Sequence, residues 1–290
     1  MDPMSRIESA LRSALEIAEH SDCPPRLREA LSYAVFPGGA RIRPKLTASV
    51  AAACGAGDRE LVYSAAAALE LLHCASLVHD DMPCFDDAQL RRGKPSVHLA
   101  YGQRLAVLCG DGLIVMAFES LARGAVSSPA TLPSLVGILG RCASVPTGIV
   151  AGQAWECESG VQLERYQQQK TGALFVAATQ LGACAAGEDP APWARLGERI
   201  GEAYQIADDI LDVAGSPEET GKSNGRDAAR LNPNSVLELG MSASEDRLRR
   251  LVGAAVDAIP PCKGKDALHK LIAAEARALM DTALMCHAAA

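Results

Sequence analysis

The stretch Leu77–His98, LVHDDMPCFDDAQLRRGKPSVH, holds Asp80, Asp81, Asp86 and Asp87 within eight residues, followed at once by Arg91, Arg92 and Lys94. Two carboxylates about 5 Å apart repel by roughly 3 kcal/mol at an effective dielectric of about 20. A fold keeps such a cluster only if solvent or a bound multivalent cation offsets the repulsion. A second acidic motif, QIADDILDV, puts Asp208 and Asp212 four residues apart. That spacing sets them on one helix face about one turn apart, with Asp209 about 100° round. In both motifs the donors are hard carboxylate oxygens with no Cys partner, a set that suits Mg²⁺ rather than zinc. Mg²⁺ held by a few carboxylates usually completes its shell with water and substrate phosphates. Pro83 breaks regular helix after Asp81 and lets Asp86 swing toward Asp80.

Cations recur near these acids. Arg91-Arg92 follow the first motif, Arg41 and Arg43 follow Gly38-Gly39, Lys170-Thr171-Gly172 lies in a third segment, and Gly221-Lys222 follows the second motif. Each alone reads as an ordinary surface charge. Beside two metal-type motifs they point to a substrate carrying several phosphates, which guanidinium forks grip bidentately.

The elements that position these groups read as helices. Hydrophobic residues make up 49% of the 290 residues and aromatics only 4%, with Ala and Leu prominent, and no run shows sustained period-2 alternation. Periodicity and Gly/Pro punctuation predict helices near 5–20, 25–36, 43–54, 58–81, 87–92, 102–123, 131–146, 148–158, 163–184, 192–213, 234–239, 243–257 and 264–284. No linker marks a boundary, so the expectation is one all-α domain over 1–290. The net charge of −7 argues against nucleic acid as a partner. The ten Cys show no zinc or CxxC spacing and read as reduced, buried thiols, which suits a cytoplasmic compartment. The N-terminus reads as a short amphipathic helix rather than a signal peptide. The longest apolar run, Leu61–Val78, carries Glu70 and His73 near its middle and reads as a buried helix rather than a membrane span.

GGARIRP, the acidic stretch with RRGKPS, KTGALF, and YQIADDILD with GKSNG together resemble the trans-prenyl diphosphate synthases, in order and spacing from about residue 30 to 235. Within that family the chain most resembles bacterial geranylgeranyl diphosphate synthases of carotenoid pathways. The resemblance implies an isoprenoid synthase helical bundle around a central cavity, usually a homodimer. It implies that Asp80, Asp86, Asp208 and Asp212 hold several Mg²⁺ ions, with Mn²⁺ as a substitute, that grip the allylic diphosphate. Arg91, Lys170, Thr171, Gln205 and Lys222 would bind that diphosphate. Arg43, His73 and Arg92 would bind isopentenyl diphosphate. Asp81 and Asp209 complete the acidic pairs and join Asp80, Asp86, Asp208, Arg91 and Lys170 in the expected catalytic set. His73 is seven residues before Asp80, about 20° away on an ideal helix, so it shares that face. One departure stands out. The family usually has Lys where this chain has Ala40, leaving Arg41 or Lys45 to compensate. A terpene cyclase usually lacks the second DDxxD, which is present here. A non-catalytic subunit of a heteromeric synthase often loses an acidic motif, and here only Ala40 favours it.

The resemblance also bears on product length. The tail should grow down the helix that ends at Asp80, where bulky residues in the last turns would form a floor. Ala75 and Ser76 occupy those positions and both are small. Leu72 is the next candidate floor, with Phe118 or Met116 from a facing helix. The expected product is therefore C20 rather than the C15 farnesyl diphosphate. Ala75→Tyr should shift the product toward farnesyl diphosphate, as read by sizing the dephosphorylated alcohols; an unchanged distribution would count against this cavity.

Overall fold

The computed structural model of the chain describes residues 2–36, 39–55, 59–160, 162–214, 235–275 and 277. Its helices are α1 (Pro3–Leu15), α2 (Pro25–Val35), α3 (Ile42–Cys54), α4 (Arg59–Asp80), α5 (Val97–Tyr101), α6 (Gln103–Gly124), α7 (Leu132–Ala143), α8 (Ile149–Ala154), α9 (Leu163–Gln167), α10 (Ala173–Ala185), α11 (Ala194–Ala214), α12 (Ser235–Leu239) and α13 (Met241–Asp257). Residues 265–275 are helical again. The all-α class expected from composition is what forms. The chain packs as two compact units, Met1–Leu139 with Leu181–Asp189, and Gly140–Gln180 with Pro190–Ala290.

Helix starts follow side-chain chemistry. α1 begins two residues earlier than periodicity suggests because Asp2 caps it. The Asp2 carboxylate accepts from Met4 N at 2.9 Å and Ser5 N at 3.1 Å, and Pro3 fills the first helical position, where no amide is needed. The last turn tightens to a 3₁₀ stretch over Glu16–Glu19.

In the first unit α4 is the central element, packed on α6, α3 and α1. Ala65, Ala66, Ala67, Ala68, Leu69, Leu71 and Leu72 are all buried. Small residues bring the α4 and α6 backbones close at both ends of their contact. A Cβ on Gly110 would overlap the His79 ring, and one on Gly124 would overlap Ser64. The pairings 110 with 79 and 124 with 64 also show that the two helices run antiparallel. Of the most apolar stretch of α4, 72% is buried, as expected for a core helix.

In the second unit α11 packs on α13 and α12. Ala203, Ile206, Ala207 and Ile210 of α11 meet Val236, Leu248 and Leu251. This is the apolar face of a strongly amphipathic helix, and it faces away from Asp208.

Two expectations are corrected. The helix expected over 87–92 does not form. Leu90–Arg91 (β1) pairs antiparallel with Lys94–Pro95 (β2), Leu90 opposite Pro95 and Arg91 opposite Lys94. Arg92 (φ 53°) and Gly93 (φ 73°) make the two-residue connection, and both lie in the left-handed region that a tight hairpin turn of matching twist demands. The run predicted over 163–184 is interrupted by a π-helical turn at Gln168–Gly172. Such turns are frequent at functional sites.

Gly182 tests the packing of the first unit. A Cβ there would overlap the Thr47 carbonyl oxygen, a backbone atom that cannot rotate away. Gly182→Ala is expected to destabilise the protein by about 1–3 kcal/mol in urea unfolding. An unchanged midpoint would show that α3 and α10 are less tightly apposed.

Candidate active site

In the lower half of α4, Leu71, Leu72, Cys74, Ala75 and Val78 are buried, while His73, Ser76, Leu77 and Asp80 are less so. The second set has i, i+3, i+4, i+7 spacing, which makes one helix face. The shared face inferred for His73, Ser76 and Asp80 is therefore present. Ser76 donates its hydroxyl to His73 O at 2.8 Å, back along its own helix. Leu72 and Met116 are buried and Phe118 is partly exposed.

Beyond Asp80 the chain doubles back. Asp86 N donates to Asp80 O at 2.9 Å, Asp87 N to Met82 O at 3.0 Å, and Ala88 N to Asp81 O at 3.1 Å. These bonds close the loop carrying Pro83 and bring Asp86 beside Asp80. Asp81 is buried. Arg91 Nε donates to both Asp81 carboxylate oxygens, at 3.0 and 3.1 Å, and Arg91 Nη2 donates to Oδ1. Arg91 Nη2 also lies 3.8 Å from Asp80 Oδ2. Burial pushes the Asp81 pKa up, and the Arg91 bonds only partly oppose that. Burial alone would lower the Arg91 pKa, but the bonds to Asp81 outweigh it and the net shift is upward. Asp87 (φ 42°) lies outside this cluster, its Oδ1 3.8 Å from His98 Nε2.

A second group of cations surrounds α4 one turn and more before the acids. Arg43 Nη1 lies 3.4 Å from His73 Nε2. Arg92 Nη2 is 3.9 Å from Glu70 Oε1. Arg41 is buried and bonded through each of its three nitrogens. It donates from Nε to Glu8 at 2.8 Å, from Nη1 to Glu70 at 2.7 Å, and from Nη2 to Val35 O at 2.9 Å. Arg41, one of the two residues expected to compensate for Ala40, is thus bonded through all three guanidinium nitrogens inside the fold. Ala40 is exposed and Lys45 is partly buried.

In the second unit the π turn carries Lys170 and Thr171. Gly152 and Gly201 make room for it: a Cβ on Gly201 would sit 2.8 Å from Gly172 Cα, and one on Gly152 would overlap the Lys170 backbone. Lys170 Nζ binds Glu156 Oε1 and lies 5.6 Å from the Tyr166 ring centre. Glu156 also accepts from Tyr166 OH at 2.7 Å and Gln153 Nε2 at 2.9 Å. On α11, Asp208 is exposed and Asp212 partly exposed, as a shared open face requires. Asp209 is only 1% exposed. It accepts from Gln205 Nε2 at 2.8 Å, Gln167 Nε2 at 3.0 Å and Ser235 N at 2.8 Å. Gln205, expected to bind diphosphate, thus holds Asp209. Lys222 lies outside the described residues.

Glu70, Glu156, Gln167 and Ser235 are site neighbours that spacing did not single out. Tyr166 and Lys170, at i and i+4, carry the one local signal for a shared partner, and Glu156 is that partner. Among the described residues no three His, Cys, Asp or Glu side chains converge as a closed metal cage. Paired hard carboxylates at open helix ends fit Mg²⁺, which keeps water and phosphate in its shell.

His73 is held well below the ordinary imidazole range, first by burial and then by Arg43, Arg92, Arg91 and Arg41. Its folded pKa is thus lower than its unfolded one. The stability is complete above about pH 6.5 and is lost as pH falls through the folded value, because the unfolded chain takes the proton first. His73→Gln should lose less stability than the parent between about pH 7 and about pH 5.5 in urea titrations. Equal losses would contradict the burial.

Comparison with known proteins agrees with this geometry. The polyprenyl synthetase family profile matches residues 24–262. A geranylgeranyl diphosphate synthase of Cereibacter sphaeroides is 52% identical over 267 residues, 92% of this chain and 93% of that one. One of Rhodobacter capsulatus is 50% identical over 276 residues, 95% of this chain and 96% of that one. The crystal structure of a Helicobacter pylori geranyltransferase complexed with magnesium and isoprenyl diphosphate superposes with a TM-score of 0.77 at 27% identity, covering 98% of each chain. An isoprenoid synthase fold, open carboxylate pairs beside cations, and a family match across most of its length lead to one conclusion: the chain belongs to the polyprenyl synthetase family.

Proposed function

We propose that the protein is a Mg²⁺-dependent trans-prenyltransferase that condenses isopentenyl diphosphate with allylic diphosphates to form geranylgeranyl diphosphate. The observation that carries this reading is the open face of α4. It ends in Asp80 with Asp86 folded beside it, it has small Ser76 one turn before, with small, buried Ala75 next to that in the chain, and Arg43, Arg91 and Arg92 flank it. Its likeness to two geranylgeranyl diphosphate synthases supports the C20 product.

Asp80 and Asp86 in one unit, and Asp208 and Asp212 in the other, would hold Mg²⁺; Mn²⁺ offers the same donor preference. Bound Mg²⁺ supplies positive charge that stabilises the departing diphosphate. Lys170, Thr171 and Arg91 would add charge and hydrogen bonds to the same group, so the allylic C–O bond breaks with both electrons on oxygen. Arg43, Arg92 and neutral His73 would hold isopentenyl diphosphate with its double bond toward the allylic carbon. A C–C bond then forms, and the resulting cation loses a proton to the diphosphate. Asp81 and Asp209 act by positioning: each is buried and hydrogen-bonded while its neighbour faces out.

The reading extends to one functional polyprenyl synthase domain, working in the cytoplasm without nucleic acid. A homodimer is supported by the exposed apolar side chains of Val107, Leu108 and Val115 on α6. A second reading, a weakly active subunit of a heteromeric synthase, is favoured only by Ala40.

Purified protein given Mg²⁺, isopentenyl diphosphate and, separately, dimethylallyl, geranyl or farnesyl diphosphate is expected to yield geranylgeraniol after dephosphorylation. EDTA should abolish turnover, and added Mg²⁺ should restore it. Farnesol as the end product would keep the reaction and overturn the open floor. No product from any primer would favour the partner-subunit reading.

A further inference from the structure

Glu70 is a buried carboxylate in the middle of an apolar helix, and two guanidinium groups compete for one of its oxygens. Arg41 Nη1 holds Glu70 Oε1 at 2.7 Å, whereas Arg92 Nη2 stands 3.9 Å from the same atom. The nearer group makes a hydrogen bond to that oxygen and the farther one does not. Arg41 is fixed from behind by Glu8 and by Val35 O. It is also kept in a left-handed backbone conformation (φ 52°), which costs a non-glycine residue of order 1–3 kcal/mol. Arg92 is likewise left-handed (φ 53°). Its guanidinium is wedged against Gly39, where a Cβ would come within 3.1 Å of Nε, beside the exposed Ala40.

We propose that Arg41 is a positioning residue that neutralises Glu70 and thereby keeps Arg92 available to the homoallylic diphosphate. This rests on the assignment of Arg92 to isopentenyl diphosphate made above. A buried carboxylate left without its partner is strongly destabilised and takes whatever cation is in reach. Without Arg41, that cation is Arg92. A movement of about 1 Å would bring it from tether distance to a direct bond. Its donors would then serve the core and not the substrate. The effect bears on this chain in particular, because Ala40 contributes no cation and the site leans on Arg43 and Arg92.

The test uses the full-length protein with Arg41→Gln, Glu70→Gln and the double substitution, measuring KM for isopentenyl diphosphate and for the allylic substrate separately. Calorimetric titration of isopentenyl diphosphate provides a second readout. Gln bears the same backbone cost as Arg at this φ, so the comparison removes the guanidinium without changing that cost, and the double variant separates the effect of the Glu70 charge from the lost bonds to Glu8 and Val35. Arg41→Gln is expected to raise KM for isopentenyl diphosphate about tenfold, with the allylic KM changed less than about twofold. In the double variant the isopentenyl KM should return to within about threefold of the parent, since the uncharged amide that replaces the Glu70 carboxylate no longer captures Arg92. Such a rescue would not follow from a merely structural role. Glu70→Gln alone should leave that KM equal or lower. It keeps the proposal testable even if Arg41→Gln does not fold. A rise of more than about threefold in Glu70→Gln overturns the idea. So does a double variant as weak as Arg41→Gln, or an Arg41→Gln protein that binds like the parent. A parent protein that neither binds isopentenyl diphosphate nor turns it over would instead sink the functional reading on which the proposal stands.

Discussion

Neighbouring residues on a helix point about 100° apart, so on a helix packed on most sides two adjacent carboxylates divide readily between the open face and the core; Asp81 and Asp209 are the buried members. One goes in and one goes out, and the buried one must be paired or it will not stay charged. The two acidic motifs obey this constraint in different ways. Asp81 is satisfied by the Arg91 fork, an ion pair. Asp209 is satisfied by two Gln amides and the Ser235 backbone amide, a neutral cradle. In both cases the buried member fixes the direction of its outward neighbour. The orientation of Asp80 and Asp208 thus depends on the polar bonds that hold their buried neighbours Asp81 and Asp209.

The same division governs the cations. Sequence alone offers Arg41, Arg43, Arg91 and Arg92 as a uniform cluster of phosphate ligands. In the structure they divide by depth. Arg41 compensates Glu8 and Glu70 inside the unit, and Arg91 compensates Asp81 while remaining near Asp80. Arg43 lies 3.4 Å from His73 Nε2, and Arg92 stands 3.9 Å from Glu70 Oε1. Their summed field, added to burial, keeps His73 neutral. A neutral imidazole can accept a hydrogen bond or donate one without adding charge.

Packing makes these arrangements possible. α4 is lined with Ala where it meets its neighbours, and Gly110 and Gly124 let α6 lie close against it. Close backbones hold the open stripe of α4 in a fixed orientation. Small Ala75 and Ser76 in the last turns before Asp80 then become a matter of available length rather than of stability. In the second unit Gly152 and Gly201 play the corresponding part around the π turn, where an extra residue in the turn re-aims Lys170 toward Glu156.

Much of this was legible from residue order. Helical class, the extent of α4, α6 and α11, the shared face of His73, Ser76 and Asp80, and the outward pairing of Asp208 with Asp212 all follow from periodicity, which is a property of the chain itself. The hard-oxygen character of the donors is likewise a matter of residue type. Other features depended on partners distant in sequence. Arg41 became a structural residue because Glu8 and Glu70 converge on it from 33 and 29 positions away. Gln205 became a support for Asp209 because Ser235, 26 positions beyond Asp209, closes the other side of that cradle. The RRGK hairpin replaced an expected helix because Arg92 joined Gly93 in the left-handed region, a backbone choice with no signature in hydrophobic pattern. The sequence by itself determined which charged groups the chain carries and on which helix faces they stand. Only the tertiary structure decided which charges the core would neutralise, because a buried charge is bonded to whatever the fold places within about 3 Å, and sequence spacing does not encode that distance.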